Sequence, residues 1–520
     1  MTQGFQQSDQ HNTLRRDDFL QQAQQLEPQL HRTPHPPRGE VLLTADAQHP
    51  HGWRPAPGRT LAQLEAQRFN AGDEFILDLG THCVGYLQLE CAAVGSPQDA
   101  PAHLQFIFGE TSAEVAEDFA DYQGWLSSSW LQQEDCYLDV LPATLALPRR
   151  YCCRFIKIRV VATSLKFGVQ LSGIRFTCVT SAGELPARQR FSDPLLAQID
   201  DISILTLKNC MQSVFEDGPK RDRRLWLGDL RLQALVNYAT FRQNDLVKRC
   251  LYLFAGVARA DGMVTANVFI QPEVVADDTY LTDYSLLFIA TLADYYASSG
   301  DLACVQALWP TAWRQAELAL ERLDARGLLA DSDEWWAFID WHSELNKQAA
   351  AQGVLIYCLQ KALPLAEVAE TDKVAPLSAA LQRLKAAALQ HLWQQESGFF
   401  TSGAAGQISW ASQVWLVLAD VGDAAFQAAL LDRLQTHPPA IRLQTPYMMH
   451  HYIEALLKCG MRSTAEAEIK AYWGAMAQQG ADTFWEVFDP QQPRFSPYGS
   501  ALINSYCHAW SCTPAWLLRQ

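Results

Sequence analysis

Four acids and four bases fall within the fourteen residues EDGPKRDRRLWLGD at 216–229. Three of the acids, Asp217, Asp222 and Asp229, are candidates for general acid–base work. That work needs carboxylates held in different states of ionisation. On a helix, Asp222 and Asp229 would fall about 140° and 120° from Asp217, so no helical face collects all three. Gly218, Pro219 and Gly228 also oppose continuous helix. The stretch is therefore expected to be a loop, with Asp229 capping a helix LRLQALVNYATF. A loop can turn the carboxylates inward while Arg221, Arg223 or Arg224 neutralise some of them. A carboxylate beside arginine stays ionised and can grip sugar hydroxyls, whereas one in a drier, aromatic setting can donate a proton. Taken singly, each residue also has a plain explanation: Asp229 as a helix cap, KRDRR as a solvated run.

The rest of the chain limits the choice. It has 520 residues, enough for two or three domains, with 41 Lys+Arg against 57 Asp+Glu, a formal net charge of −16. So acidic a chain repels nucleic acid and anionic membranes, and neither is an expected partner. No apolar run approaches membrane-spanning length, and the N-terminus lacks the pattern of a secretory signal. Thirteen cysteines without CxxC pairs read as reduced thiols in a cytoplasmic protein. No Cys or His pair has ligand spacing, so neither a metal nor a cofactor is expected. The 16 tryptophans supply flat faces on which sugars stack, although most should be core.

The elements that must position the loop change in kind along the chain. Residues 1–60, rich in Gln, His and Pro, are expected to form an N-terminal extension containing a short helix. Residues 61–188 are assigned to an antiparallel β-sandwich, on period-2 runs such as EFILDLG, GYLQLECAAV and CRFIKIRVVA. Residues 189–520 carry roughly twelve segments of helical periodicity and no fixed repeat, which predicts an (α/α)6 toroid. They start near Asp193, Asp229, Asp245, Thr282, Asp301, Ser343, Pro376, Gln407, Ala424, Pro446, Thr464 and Ser500. The predicted class is thus α+β multidomain. The edges of the β-domain leave room for a homodimer.

At the level of whole motifs, DGPKRDRRLWLGD resembles the acidic loop of the α-L-rhamnosidases of glycoside hydrolase family 78. There an Asp, a Pro two positions on, an Arg, a catalytic acid, a Trp and a closing Gly-Asp recur in this order. GADTFWEVFD at 480–489 is similar to the family segment holding the second catalytic carboxylate, and SYCHAWSCTP at 505–514 to one with a sugar-contacting His. TPYMMHHYIEAL at 445–456 and FILDLGTHCVGYLQLE with a later FGE agree with the family's barrel and β-domain. The resemblance covers roughly residues 73–520. It implies an inverting hydrolase of small rhamnosides, with Asp222 as general acid and Glu486 as general base. Asp217, Arg221 and Asp229, kept charged, would bind rhamnose hydroxyls, and His508 would donate to one. Trp226 and one of Trp335, Trp336 or Trp341 would form apolar walls, with Trp485 against the sugar or bracing Glu486. Asp283, at the start of a helix, would cap it or line the funnel, the funnel being preferred, and Asp340 is as readily a structural partner as a ligand. The family pattern more commonly has Glu at the acid position, and many members continue into a further β-domain. Another glycosidase, or a lyase for rhamnosyl-uronate linkages seated by Arg221, Arg223 and Arg224, is the alternative on this fold.

Overall fold

The computed structural model describes residues 13–520. A nine-stranded antiparallel sheet network occupies residues 31–180. Its central strand, Glu74–Val94, pairs with four others: Gly39–Ala45, Ala143–Ala146, Tyr151–Ala162 and Gly168–Thr180. Alternate residues of that strand, Phe75, Leu77 and Leu79, then Leu87, Leu89 and Cys91, point into a separate apolar core, as the period-2 pattern requires.

The expected extension at 1–60 needs correction. Its first twelve residues lie outside the described part. Thr13–Arg15 pairs with Val257–Arg259, and the helix Asp17–Gln25 lies on the helix Asn244–Gly256, where the Arg249 guanidinium donates to the Ala23 carbonyl. Residues 31–60 supply three strands of the sheet: His31–His35, Gly39–Ala45 and Trp53–Thr60. Prolines and charged residues hid the first and third, which are largely exposed, while Gly39–Ala45 buries only its first three residues and shows no alternation.

Eleven helices of nine residues or more follow between 194 and 478. Leu227–Ala239, Thr282–Ser299, Gln348–Ala369, Trp410–Leu418 and Pro446–Lys458 pack side by side in sequence order and form an inner ring. They are buried nearly all round, as a helix walled by other helices must be. Six more helices form the outer layer: Pro194–Cys210, Asn244–Gly256, Leu302–Leu320, Val374–His391, Ala424–Thr436 and Arg462–Gln478. The ring closes where the last of these meets the first: Lys470 reaches Asp193 at 3.1 Å. The twelfth helix expected near Ser500 is absent. The sixth inner position is filled by short turns at Ala501–Ile503 and Ala509–Ser511 and the four-residue helix Pro514–Leu517. Other helix ends follow the sequence signals. Gly300 is left-handed (φ 67°) and Asp301 caps the next helix by accepting the Cys304 N–H.

Candidate active site

Three segments distant in sequence are zipped together by backbone hydrogen bonds. Glu486 N–H donates to Ser505 C=O (3.0 Å), His508 N–H to Phe484 C=O (2.9 Å) and Ala509 N–H to Asp217 C=O (2.7 Å). The loop at 216–226, the GADTFWE segment and the SYCHAWS segment thus meet in one place.

The loop is held by charges buried between the two domains. Lys220, whose side chain is fully buried, donates to Glu114 Oε2 (2.8 Å), Asn504 C=O (2.6 Å) and Leu502 C=O (3.3 Å), with Glu110 Oε2 at 3.4 Å. Glu110 accepts from His82 Nε2 (2.8 Å) and from the Tyr506 N–H (2.8 Å). Glu216 pairs with Arg150 (2.7 Å), and Arg223 donates to the Arg150 carbonyl (2.9 Å). His82, Glu110, Glu114 and Arg150 all come from the β-rich domain. The run KRDRR is therefore no solvated stretch. Asp222 and Arg223 follow with φ of 64° and 53°, a left-handed turn that costs roughly 1–2 kcal/mol per residue and needs such anchoring.

Arg221 lies at the centre. Its Nη2 donates to Glu486 Oε2, its Nη1 to Asp222 Oδ1 (3.3 Å) and its Nε to the Ile503 carbonyl (3.2 Å). Its guanidinium lies 4.4 Å from the centre of the Tyr498 ring, and the Tyr498 hydroxyl donates to Glu486 Oε1. Asp222 keeps 23% of its side chain exposed, whereas Asp217, Asp229, Glu486 and His508 are buried. His508 stands between the remaining carboxylates: its Nδ1 is 3.5 Å from Asp229 Oδ1 and its Nε2 3.9 Å from Asp217 Oδ2. The expected site residues Asp217, Arg221, Asp222, Asp229, Glu486 and His508 are thereby brought together.

The division of charge differs from the expected one. Burial raises Glu486, but the Arg221 guanidinium, His508 and the hydrogen bonds from Arg221 and Tyr498 outweigh it and hold its carboxyl down at about 2. Burial pushes Asp217 and Asp229 well above the usual carboxylate range; Asp222 and Asp229 add to it for the first, Glu486 and Asp222 for the second. Arg221 therefore reaches Glu486 and the edge of Asp222, not Asp217 and Asp229, whose buried carboxyls are biased towards the neutral form. Burial also lowers His508 to about 4, so its imidazole is neutral at pH 7.

Asp229 does not cap its helix. Leu227–Ala239 starts two residues earlier, with Trp226 at the cap position and Asp229 in the first turn. Gly228 sits in that turn because the Tyr284 ring fills the space a Cβ would take. Trp226 (to Tyr284, 6.4 Å) and Trp341 (to Phe338, 5.5 Å, and Tyr498, 6.0 Å) join a connected set of aromatic rings with Tyr447 and Trp510. Trp336 is half-buried against the barrel core, its carbonyl accepting the Thr282 N–H (2.7 Å), and the ring contacts run through Trp341. Trp485, expected against the sugar or bracing Glu486, packs on His51 (5.3 Å) and Tyr506 (5.4 Å) and lines a cavity of about 100 Å³ between the domains. Asp283, expected to cap its helix or line the funnel, accepts the Phe338 and Ile339 N–H groups at 2.8–3.1 Å and ties that segment to the start of the helix. Asp340 likewise serves structure, accepting from Gln444 N–H and Thr445 Oγ1.

Sequence reasoning missed Tyr498, Lys220 as an anchor, and the β-domain acids Glu110 and Glu114. The FGE at 108–110 was the available signal for Glu110. Two clusters among the described residues have metal-like donor sets, His35–Cys83–Cys178 and His450–His451–Glu454. Both lie apart from this site, and Arg231 stands 3.7 Å from Glu454 in the second.

Comparison with known proteins identifies the family of both domains. Residues 37–178 match the glycosyl hydrolase family 78 alpha-rhamnosidase N-terminal domain, and residues 188–520 the bacterial alpha-L-rhamnosidase 6 hairpin glycosidase domain. The chain is similar to a rhamnosidase from Klebsiella oxytoca with rhamnose bound, at 59% identity over 98% of this chain and 99% of that one, TM-score 0.96. A family 78 rhamnosidase of Bacillus sp. GL1 shares the fold at 24% identity and TM-score 0.74, over 91% of this chain and 50% of that one. An α-L-rhamnosidase of Streptomyces avermitilis does so at 16% identity and TM-score 0.64, over 95% and 44%. No curated protein sequence matches the chain. A β-rich domain followed by a six-hairpin toroid, matched along both parts, means that the chain belongs to the α-L-rhamnosidases of glycosyl hydrolase family 78.

Proposed function

We propose that this glycoside hydrolase removes terminal α-L-rhamnosyl residues from small rhamnosides with inversion at the anomeric carbon. Asp222 protonates the glycosidic oxygen, and Glu486 takes the proton of the attacking water. The observation that carries this reading is the single guanidinium of Arg221 holding carboxylates 222 and 486 on two of its nitrogens. That bridge keeps their nearest oxygens no more than about 8 Å apart, a bound that takes in both the inverting and the shorter retaining spacing, so the anomer formed first decides between them. Asp222 is the more open of the two, as a group facing the leaving oxygen must be, and Glu486 is held ionised, as a base must be. Asp217 and Asp229, biased neutral, can donate as well as accept hydrogen bonds to the sugar hydroxyls alongside His508.

A lyase for uronate linkages would need a free cation for the substrate carboxylate. Arg221 is bound to two acids, Arg223 to two backbone carbonyls, and Arg224 lies 4.4 Å from the Phe269 ring. Thirteen thiols, none of them in a disulfide, suit a reducing compartment, and we place the enzyme in the cytoplasm.

Hydrolysis of p-nitrophenyl α-L-rhamnoside, followed by proton NMR, tests the proposal. The first rhamnose formed should be the β-anomer, and Asp222→Asn and Glu486→Gln should each lower kcat at least about a hundredfold. Release of the α-anomer first would refute inversion. A near-normal rate in either variant would remove that residue from its role.

A further inference from the structure

The segment 119–131 of the β-rich domain lies against residues 496–500 of the barrel. There the Trp125 backbone N–H donates to the Tyr498 carbonyl (3.0 Å) and its indole N–H to the Pro497 carbonyl (3.0 Å). Its ring leans on that of Tyr498 at 5.7 Å. Nearby, Glu117 pairs with Arg494 (2.8 Å) and tightens the same junction. Even so, Trp125 is 63% exposed. Its one polar atom is already satisfied, so what faces water is apolar ring in a fixed orientation. Leaving that surface exposed gains the fold nothing, whereas an ordered indole binds a flat partner at little entropic cost.

Its position says which partner. Tyr498 places its hydroxyl on Glu486 and its ring beneath Arg221. The Trp125 ring centre is therefore no more than about 11 Å from the Glu486 carboxylate, counting the ring contact, the tyrosine and one hydrogen bond. Through Arg221, which holds Asp222 as well, the same ring lies within about 15 Å of the proposed acid, so the indole borders the mouth of the pocket at which the leaving group faces out. We propose that Trp125 is the platform of the leaving-group subsite, on which the first ring of the aglycone, pyranose or aromatic, stacks face to face. The inference rests on the rhamnosidase reading and extends it: the β-rich domain supplies substrate selectivity as well as the anchors of the catalytic loop.

The test compares wild type, Trp125→Ala and Trp125→Phe on three substrates: a rhamnosyl-glucose disaccharide, p-nitrophenyl α-L-rhamnoside and α-L-rhamnosyl fluoride. The fluoride leaves as one atom and cannot reach the platform. The ratio of kcat/KM for the disaccharide to that for the fluoride should fall about tenfold in Trp125→Ala, the worth of one good stacking contact. Trp125→Phe should recover part of it. The p-nitrophenyl substrate separates the ring classes: a parallel fall in its ratio assigns a platform for any flat ring, and a fall for the disaccharide alone assigns one for a sugar. If both ratios stay within threefold of wild type in Trp125→Ala, the subsite is refuted, including where all rates drop together because Trp125 merely braces Tyr498. Wild type that cleaves none of the three would instead overturn the rhamnosidase reading itself.

Discussion

Replacing Lys220 with methionine isolates what the β-rich domain does for the catalytic loop. The change keeps an unbranched, buried side chain and removes only the ammonium. That group meets Glu114, Glu110 and the carbonyls of Leu502 and Asn504, all out of water. Burial, partly offset by Lys220 and reinforced by Glu110, already pushes Glu114 up to about 7. Without Lys220, two buried acids would share one site with only His82 beside them. Breaking a buried pair from one side costs about 3–5 kcal/mol, and urea unfolding followed by tryptophan fluorescence should report a loss of that size. Activity should fall further than stability alone explains. The adjacent Arg221 grips the same turn at Ile503, and a shift of about 1 Å in such a clamp lowers kcat roughly a hundredfold. Adding Glu114→Gln to Lys220→Met removes the uncompensated charge and should restore at least about 2 kcal/mol, a coupling that independent sites do not show. If Lys220→Met stays within 1 kcal/mol of wild type, or if the second change restores nothing, the charge cluster is not what holds the loop.

Three further outcomes follow from the site. His508 is held neutral in the folded state, near 4 against about 6.5 unfolded, so its contribution is full above pH 6.5 and is lost as pH falls towards 4. The stability difference between wild type and His508→Gln should therefore shrink by about 3 kcal/mol between pH 7 and pH 4; a flat difference would show that the imidazole is not buried neutral. Tyr498→Phe removes one charge-assisted hydrogen bond from Glu486. It should lower kcat/KM about tenfold, and a change under twofold would mean that the tyrosine does not help to fix the base. Gly228→Ala drives a methyl into the Tyr284 ring and should destabilise by about 1–3 kcal/mol, against alanine's better helix propensity. A gain in thermal midpoint would show that the ring can move aside.

Much of the fold was legible because its signals are local. Caps such as Gly300–Asp301, and the change from period 2 to period 3.6 after residue 190, depend only on near neighbours in the chain. The strands at 31–60 were not legible: two are exposed and carry Pro and Arg, and Gly39–Ala45 buries only its first three residues, so none shows apolar alternation. Nor was the missing twelfth helix, where Pro497, Gly499 and Pro514 break the segment that closes the ring. Within the site, the identities of the acids were readable, but their electrostatic partners were not. The family resemblance implied that Asp217 and Asp229 would be the charged, ion-paired acids, with Arg221, Arg223 or Arg224 supplying the cations. The left-handed turn at 222–223, made possible by Lys220 locked to the β-rich domain, instead aims Arg221 across the ring at a residue 265 positions away. The pairing decides the chemistry. An arginine spent on Asp217 and Asp229 would leave Glu486 buried without a cation, its carboxyl raised and unable to accept a proton at pH 7. Placed on Glu486, it keeps the proposed base ionised and leaves Asp217 and Asp229, the proposed sugar binders, able to share protons with hydroxyls. The division of charge between the proposed base and binders thus depends on a contact between domains, which is why the isolated loop sequence permitted the opposite division.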